Sequence, residues 1–201
     1  MLRAMRRVIP LAIVLVLFVQ TNAFAAVKNV DIVEFTYTPT PVKLNIGDSV
    51  VWTNTDPVTH TATSNAPFSL WDSGLIIKSG GTFQWTFDAA GGYPYHCEYH
   101  PWMFALIGVK GRAFPSTGAT GTQFKITVAT VAAPALFDYD IQRKVPGSGV
   151  WTDWMMNVLT KSVTFDSTGQ PTGKYQFRSR MSRRDGTGDS SYSLASAIRV
   201  M

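Results

Sequence analysis

Cys97, His100 and Met103 follow one another at three-residue intervals in the run Tyr95-His96-Cys97-Glu98-Tyr99-His100-Pro101-Trp102-Met103, and His60 lies well upstream. One thiolate, two imidazoles and one thioether are the donor set of a blue-copper electron-transfer centre. Thiolate and thioether suit Cu(I), and imidazole suits both oxidation states, so the set fits a metal that cycles between them. A short loop carrying three donors, its turn stiffened by Pro101, and a fourth donor on a separate strand would hold them in nearly one geometry. Each residue also has an ordinary reading. A buried free cysteine is a small hydrophobe. Met103 between Trp102 and Phe104 could be core, and a histidine after a strand is commonly a surface residue. Zinc accepts Cys and His, but a thioether is a poor fourth ligand for it.

Cys97 is the only cysteine. It has no partner for an internal disulfide, which leaves a free thiol, an intermolecular link or a metal ligand. The spacing to His100 and Met103 favours the ligand. The redox compartment bears on this choice, because the first 25 residues read as a secretory signal. Arg3, Arg6 and Arg7 are basic, Val8 to Val19 is apolar apart from Pro10, and Ala23-Phe24-Ala25 offers small residues for cleavage after Ala25. The competing reading is a retained membrane anchor, but the apolar run falls short of the ~20 residues that span a bilayer. Residues 26–201 are therefore expected to be exported, to the periplasm or the extracellular space, with no membrane span after cleavage.

The formal charge of +5 falls to +2 once the three signal arginines are removed. Residues 26–113 carry five Lys/Arg against seven Asp/Glu, and residues 114–201 carry ten against six. That asymmetry suggests two units. It is too weak for a nucleic-acid partner, which shows as a strongly basic face. Arg178, Arg180, Arg183 and Arg184 form the only basic cluster, read as a solvated strand and turn.

The elements that must position the donors read as strands throughout. Val27–Phe35, Val42–Leu44, Ser49–Thr53, Thr82–Phe87 and Tyr93–His96 are short β segments, and Phe83, Trp85 and Phe87 alternate with polar residues at the period of a half-buried strand. Asn45–Asp48 and Ala89–Gly92 supply turns. The Gly-rich stretch 114–122 reads as a linker. Alternation resumes in Phe124, Ile126 and Val128, then in Phe137, Tyr139 and Ile141 with Asp138, Asp140 and Gln142 on the outer face, and again around Val163, Tyr175 and Tyr192. No stretch keeps a helical period. The chain is all-β, with two sandwiches: residues 26–113 and residues 123–201.

Residues 27–112 resemble a small cupredoxin of the plastocyanin and amicyanin group. The resemblance is carried by Gly47-Asp48-Ser49-Val50-Val51-Trp52-Thr53-Asn54, His60, Asp72-Ser73-Gly74, Phe83–Phe87, Gly92–Cys97 and His100–Met103. It implies a Greek-key β-sandwich with copper near one end, His60, Cys97 and His100 as equatorial ligands, and Met103 as the weak axial one. The spacing from Cys97 to Met103 matches the short amicyanin-like ligand loop. Two positions depart from the pattern. Thr61 replaces the Asn that often follows the first histidine, and its hydroxyl could do part of the same tethering. Ala105 stands where Gly is common.

Residues 123–201 are similar to a fibronectin type III domain, an immunoglobulin-like sandwich, through Tyr139–Lys144, Trp151–Trp154, Gly173–Arg180 and Ser190–Ser193. Tyr175 would be its tyrosine-corner residue. Such a module serves as spacer or adhesion unit, so its fold alone assigns no function. Trp151, Trp154, Met155 and Met156 could be an exposed patch, although packing explains them as well.

The expected function is an exported type 1 copper protein that carries one electron at a time between redox partner proteins. These would dock at the edge made by His100, Pro101 and Trp102. The alternative is a cell-envelope copper-binding or adhesion protein without electron transfer. A protein or a glycan is the ligand class open to the second domain. Catalytic copper chemistry is not expected. With His60 and His100 assigned, His96 alone cannot build a second copper site.

Overall fold

The computed structural model describes residues 25–201, so the signal-peptide reading lies outside the described residues apart from Ala25. Eight strands precede Gly111: β1 (Val27–Val33), β2 (Thr36–Thr38), β3 (Val42–Asn45), β4 (Ser49–Asn54), β5 (Thr63–Ser64), β6 (Gly81–Thr86), β7 (Gly91–Cys97) and β8 (His100–Lys110). They form two four-stranded sheets of order β2-β1-β4-β6 and β3-β8-β7-β5. β1 runs parallel to β4, and β7 antiparallel to β8. Alternation sets which side chains enter the core. Val50 and Trp52 of β4 and Tyr93, Tyr95 and Cys97 of β7 are buried. Their rings interlock, with Trp52 edge-on to Tyr95 at 5.6 Å and Trp71 edge-on to Phe87 at 5.3 Å. Packing of this kind adds about 1 kcal/mol per ring pair beyond the area buried.

The second half holds β9 (Arg112–Phe114), β10 (Thr117–Gly118), β11 (Gln123–Thr127), β12 (Phe137–Lys144), β13 (Thr152–Val158), β14 (Ser162–Asp166), β15 (Gly173–Arg183) and β16 (Ser196–Val200). A three-stranded sheet of order β14-β11-β9 accompanies a five-stranded sheet of order β10-β16-β15-β12-β13. Phe124 and Ile126 of β11, Tyr139 and Ile141 of β12, Phe165 of β14, and Tyr175 and Phe177 of β15 are buried. The Tyr175 hydroxyl donates to the Pro171 carbonyl at 2.8 Å. Trp154 is turned inward onto Phe165 and Phe177, whereas Met155 and Met156 are partly exposed. Asp138 and Asp140, expected on an open outer face, are buried, and Arg180 contacts Asp140 at 3.0 Å.

Two stretches read as turn and linker have other roles. Within 114–122, Phe114 belongs to β9 and pairs with Lys125, while Thr117 and Gly118 pair with Arg199 and Val200. Gly91 and Gly92 begin β7, and Gly92 exchanges both backbone hydrogen bonds with Ser191, at 2.7 and 2.8 Å. A Cβ on Gly91 would stand 2.7 Å from Ser190 Oγ, and one on Gly92 3.0 Å from Ser191 Cβ. These glycines permit close approach of two backbones. Ala90 N also donates to Val128 O, and Thr130 N to Asp88 O. The two halves meet at the Gly91 end of β7, and Cys97 closes the other end. The five-residue rise from Gly92 to Cys97 spans roughly 17 Å at strand geometry.

Candidate metal centre

The donors come from three places. Cys97 ends β7 and His100 opens β8, the two facing each other across the tight Glu98–Tyr99 connection. His60 lies beyond β4, pinned by a two-way backbone bridge with Ile76 at 3.2 and 2.8 Å. The Cys97 Sγ is 3.4 Å from His100 Nδ1 and 3.8 Å from His60 Nδ1. One ligand atom of each of the three residues lies within 4.8 Å of the others. Met103, the fourth residue of the set, is buried on β8 at 2% exposure, between Trp102 and Phe104, which are exposed at 63% and 74%. Strand alternation sends the thioether inward and the two rings outward.

His60 is held from its far side. Its Nε2 is 2.9 Å from Asp56 Oδ2. The same carboxylate accepts the Glu34 amide at 2.6 Å and the Phe35 amide at 2.9 Å. Burial works to raise the Asp56 carboxyl, but these amides and the His60 contact outweigh it and hold the group below its ordinary value. An ionised carboxylate only accepts hydrogen bonds, so Nε2 carries the His60 hydrogen and Nδ1 turns its lone pair toward the thiol. Burial lowers the His60 pKa against the pull of Asp56, with His100 adding to the lowering, which favours the neutral ring that a metal needs.

Thr61 ties the two segments together. Its amide donates to Cys97 Sγ at 3.4 Å, and its hydroxyl accepts the Glu98 amide at 2.9 Å and the Thr63 hydroxyl at 3.1 Å. The hydroxyl thus links the first-histidine segment to the loop after Cys97. His96 points to the other side of β7, where Asn65 Oδ1 lies 2.7 Å from Nδ1 and Glu98 Oε1 3.2 Å from Nε2.

The outer edge is apolar. Phe35 stands edge-on to His100 at 4.9 Å and to His60 at 5.4 Å, and Trp102 lies 5.4 Å from His100. Leu75 and Ile77, both exposed, flank the residue that pairs with His60. Sequence reading identified Trp102 but missed Phe35 and Asp56. Glu34 and Phe35 adopt φ of 50° and 56°, a conformation held by the two amides on Asp56. The only local signal was a carboxylate four residues before His60.

This donor set matches copper by ligand type: a buried thiol, two imidazoles aimed at it, and a thioether close in sequence. The model for copper-binding proteins of the plastocyanin/azurin family matches residues 25–110, ending where β8 ends. Amicyanin-alpha of Methylorubrum extorquens is 30% identical over 91 residues, covering 44% of this chain and 76% of that protein. The chain belongs to the plastocyanin/azurin family. This cupredoxin is also 32% identical over 84 residues to the amicyanin of Paracoccus denitrificans, covering 40% of this chain and 63% of that protein. It thus spans less than two thirds of that relative. Among solved structures, the purple cupredoxin of Nitrosopumilus maritimus is 28% identical, covers 41% of this chain and 98% of its own, and has a TM-score of 0.38. Copper is the cofactor of the cupredoxin centre, and His60, Cys97, His100 and Met103 are arranged as a type 1 site.

Proposed function

We propose that this cupredoxin is an exported one-electron carrier rather than an enzyme. In this reading His60, Cys97, His100 and Met103 would hold copper, with Met103 as the weakest donor. The observation that carries the reading is the convergence of both Nδ1 atoms on the Cys97 sulfur behind an apolar edge. Bound there, copper supplies a Cu(I)/Cu(II) couple. Cys97, His60 and their anchors restrict the donors to one geometry, and His100, half-buried, presents its ring between Phe35 and Trp102. An exposed apolar edge of this size fits the weak, brief encounters of redox partner proteins. Of the three histidines, His96 is engaged by Asn65 and Glu98, which leaves none for a second copper. Export rests on the basic and apolar residues before Ala25. No helix among the described residues is long and apolar enough to cross a membrane.

We also propose two domains, with the division moved from the expected residue 113 to Gly111 because β9 pairs with β11, and read the second as fibronectin type III-like. Support comes from the pairing of β9 with β11, the three- and five-stranded sheets, and the Tyr175 hydrogen bond to a carbonyl four residues back, the tyrosine-corner pattern.

The test is electron exchange by the copper-loaded protein in stopped flow, with His100→Ala beside it. Wild type should exchange fast and the variant at least about tenfold more slowly, the factor per 1.4 kcal/mol of barrier. Equal rates would remove His100 as the port. Slow exchange by wild type would support the rival reading, a copper-binding or adhesion protein with an appended module.

A further inference from the structure

We infer that the outer face of the β12-β15-β16 sheet binds a linear acidic glycan, one bearing uronate carboxylates. Alternation along β15 buries Tyr175, Phe177 and Met181 and turns Lys174, Gln176, Arg178 and Arg180 outward. Cross-strand register adds Lys144 from β12, opposite Gln176, and Arg199 from β16, opposite Lys174. Four cations, Lys144, Lys174, Arg178 and Arg199, thus surround Gln176 on three adjacent strands. Among the described residues none of them pairs with a carboxylate, whereas Arg180 on the same face is paired with both Asp140 and Asp189.

Two features point to an anion supplied from outside. Lys174 and Arg199 lie directly opposite each other on antiparallel strands, an arrangement that destabilises a sheet through like-charge repulsion. The Arg178 guanidinium is fixed without being neutralised. It lies 4.5 Å over Trp151 and 4.6 Å over Tyr192, and its Nε and a terminal nitrogen donate to Gln142 Oε1 at 2.9 and 2.7 Å. A neutral amide contacts the guanidinium directly, and its nitrogen donates to Asp153 Oδ1 at 2.9 Å, so this acid bonds Gln142 rather than Arg178. The fork is therefore pre-ordered with its charge intact, which lowers the entropic cost of capturing a carboxylate.

The rings decide among polyanions. Trp151 also lies under Lys144 at 4.9 Å and Tyr192 under Arg180 at 5.2 Å. Rings covered in this way offer no platform for stacking nucleobases, and they do not protrude to enter a bilayer as interfacial aromatics do. Charge arrayed along a flat sheet remains, which suits an extended chain of carboxylates.

The test is binding of the full mature chain to polygalacturonate at low salt, with neutral dextran, single-stranded DNA and phosphatidylserine vesicles alongside. Wild type should bind polygalacturonate best and release it as salt rises. Arg178→Gln removes the ordered fork and leaves Gln142 donating to Asp153, so it should weaken binding about tenfold. Lys174→Gln with Arg199→Gln should weaken binding similarly and raise the melting temperature by relieving repulsion. No binding by wild type, unchanged binding in both variants, or tighter binding to DNA or vesicles would overturn the assignment.

Discussion

The carboxylate of Asp56 lies 2.9 Å from Nε2 of His60 and closes the buried side of the copper site. The same two oxygens fold the Glu34–Phe35 turn. One side chain therefore sets both the orientation of a ligand ring and the placing of Phe35 over His100. A carboxylate behind a ligand histidine makes that ring a stronger donor.

Asp56→Asn should accordingly raise the reduction potential, because a less basic imidazole stabilises Cu(II) less. Voltammetry of the copper-loaded variant checks this, and an unchanged potential would contradict it. Asp56→Ala strands the His60 N–H and two amides, and should cost the metal-free protein about 3 kcal/mol in urea unfolding.

Met103→Leu conserves volume at a buried position, so the fold should lose less than about 1.5 kcal/mol. The variant should keep the thiolate-to-copper band and show a higher potential, since the thioether that would donate weakly to Cu(II) is gone. Loss of the band, or an unmoved potential, would argue that Met103 is only core.

Asp138 tests electrostatics away from the metal. Burial, and then the neighbouring Asp140, push its carboxyl above the ordinary value, and its Oδ1 is buried without a partner among the described residues. A carboxyl with a raised folded-state pKa binds more protons folded than unfolded. Its stabilising contribution is present at low pH and is lost as pH rises through the folded value. Asp138→Asn should therefore be more stable than wild type near pH 7, by about 1 kcal/mol. The gain should disappear well below the ordinary carboxylate pKa, near 3.8. Urea titrations at two pH values decide it, and equal stability at neutral pH would count against the reading.

Much of the centre was legible because Cys97, His100 and Met103 sit on one short stretch, where chemistry and spacing are visible together. His60 could be placed because it follows the Val51–Asn54 strand. Asp56 and Phe35 stayed hidden because their role exists only once the turn after β1 folds onto the loop after β4, a relation between segments more than 20 residues apart. β8, the strand that carries His100 and Met103, was overlooked because its first residues were read as a ligand loop, although that loop passes directly into an 11-residue strand. Gly91 and Gly92 were read as a turn because glycine marks turns and close backbone approaches alike. Only the contact with Ser190 and Ser191 separates the two.

The most direct test of the account is the visible absorption spectrum of residues 26–201 titrated with Cu(II), beside Cys97→Ser. The site predicts an intense blue thiolate-to-copper band that saturates at one copper per chain and is absent from the variant. A wild-type protein that stays colourless, or a band that survives the loss of Cys97, would contradict the assignment of His60, Cys97, His100 and Met103 as its copper ligands.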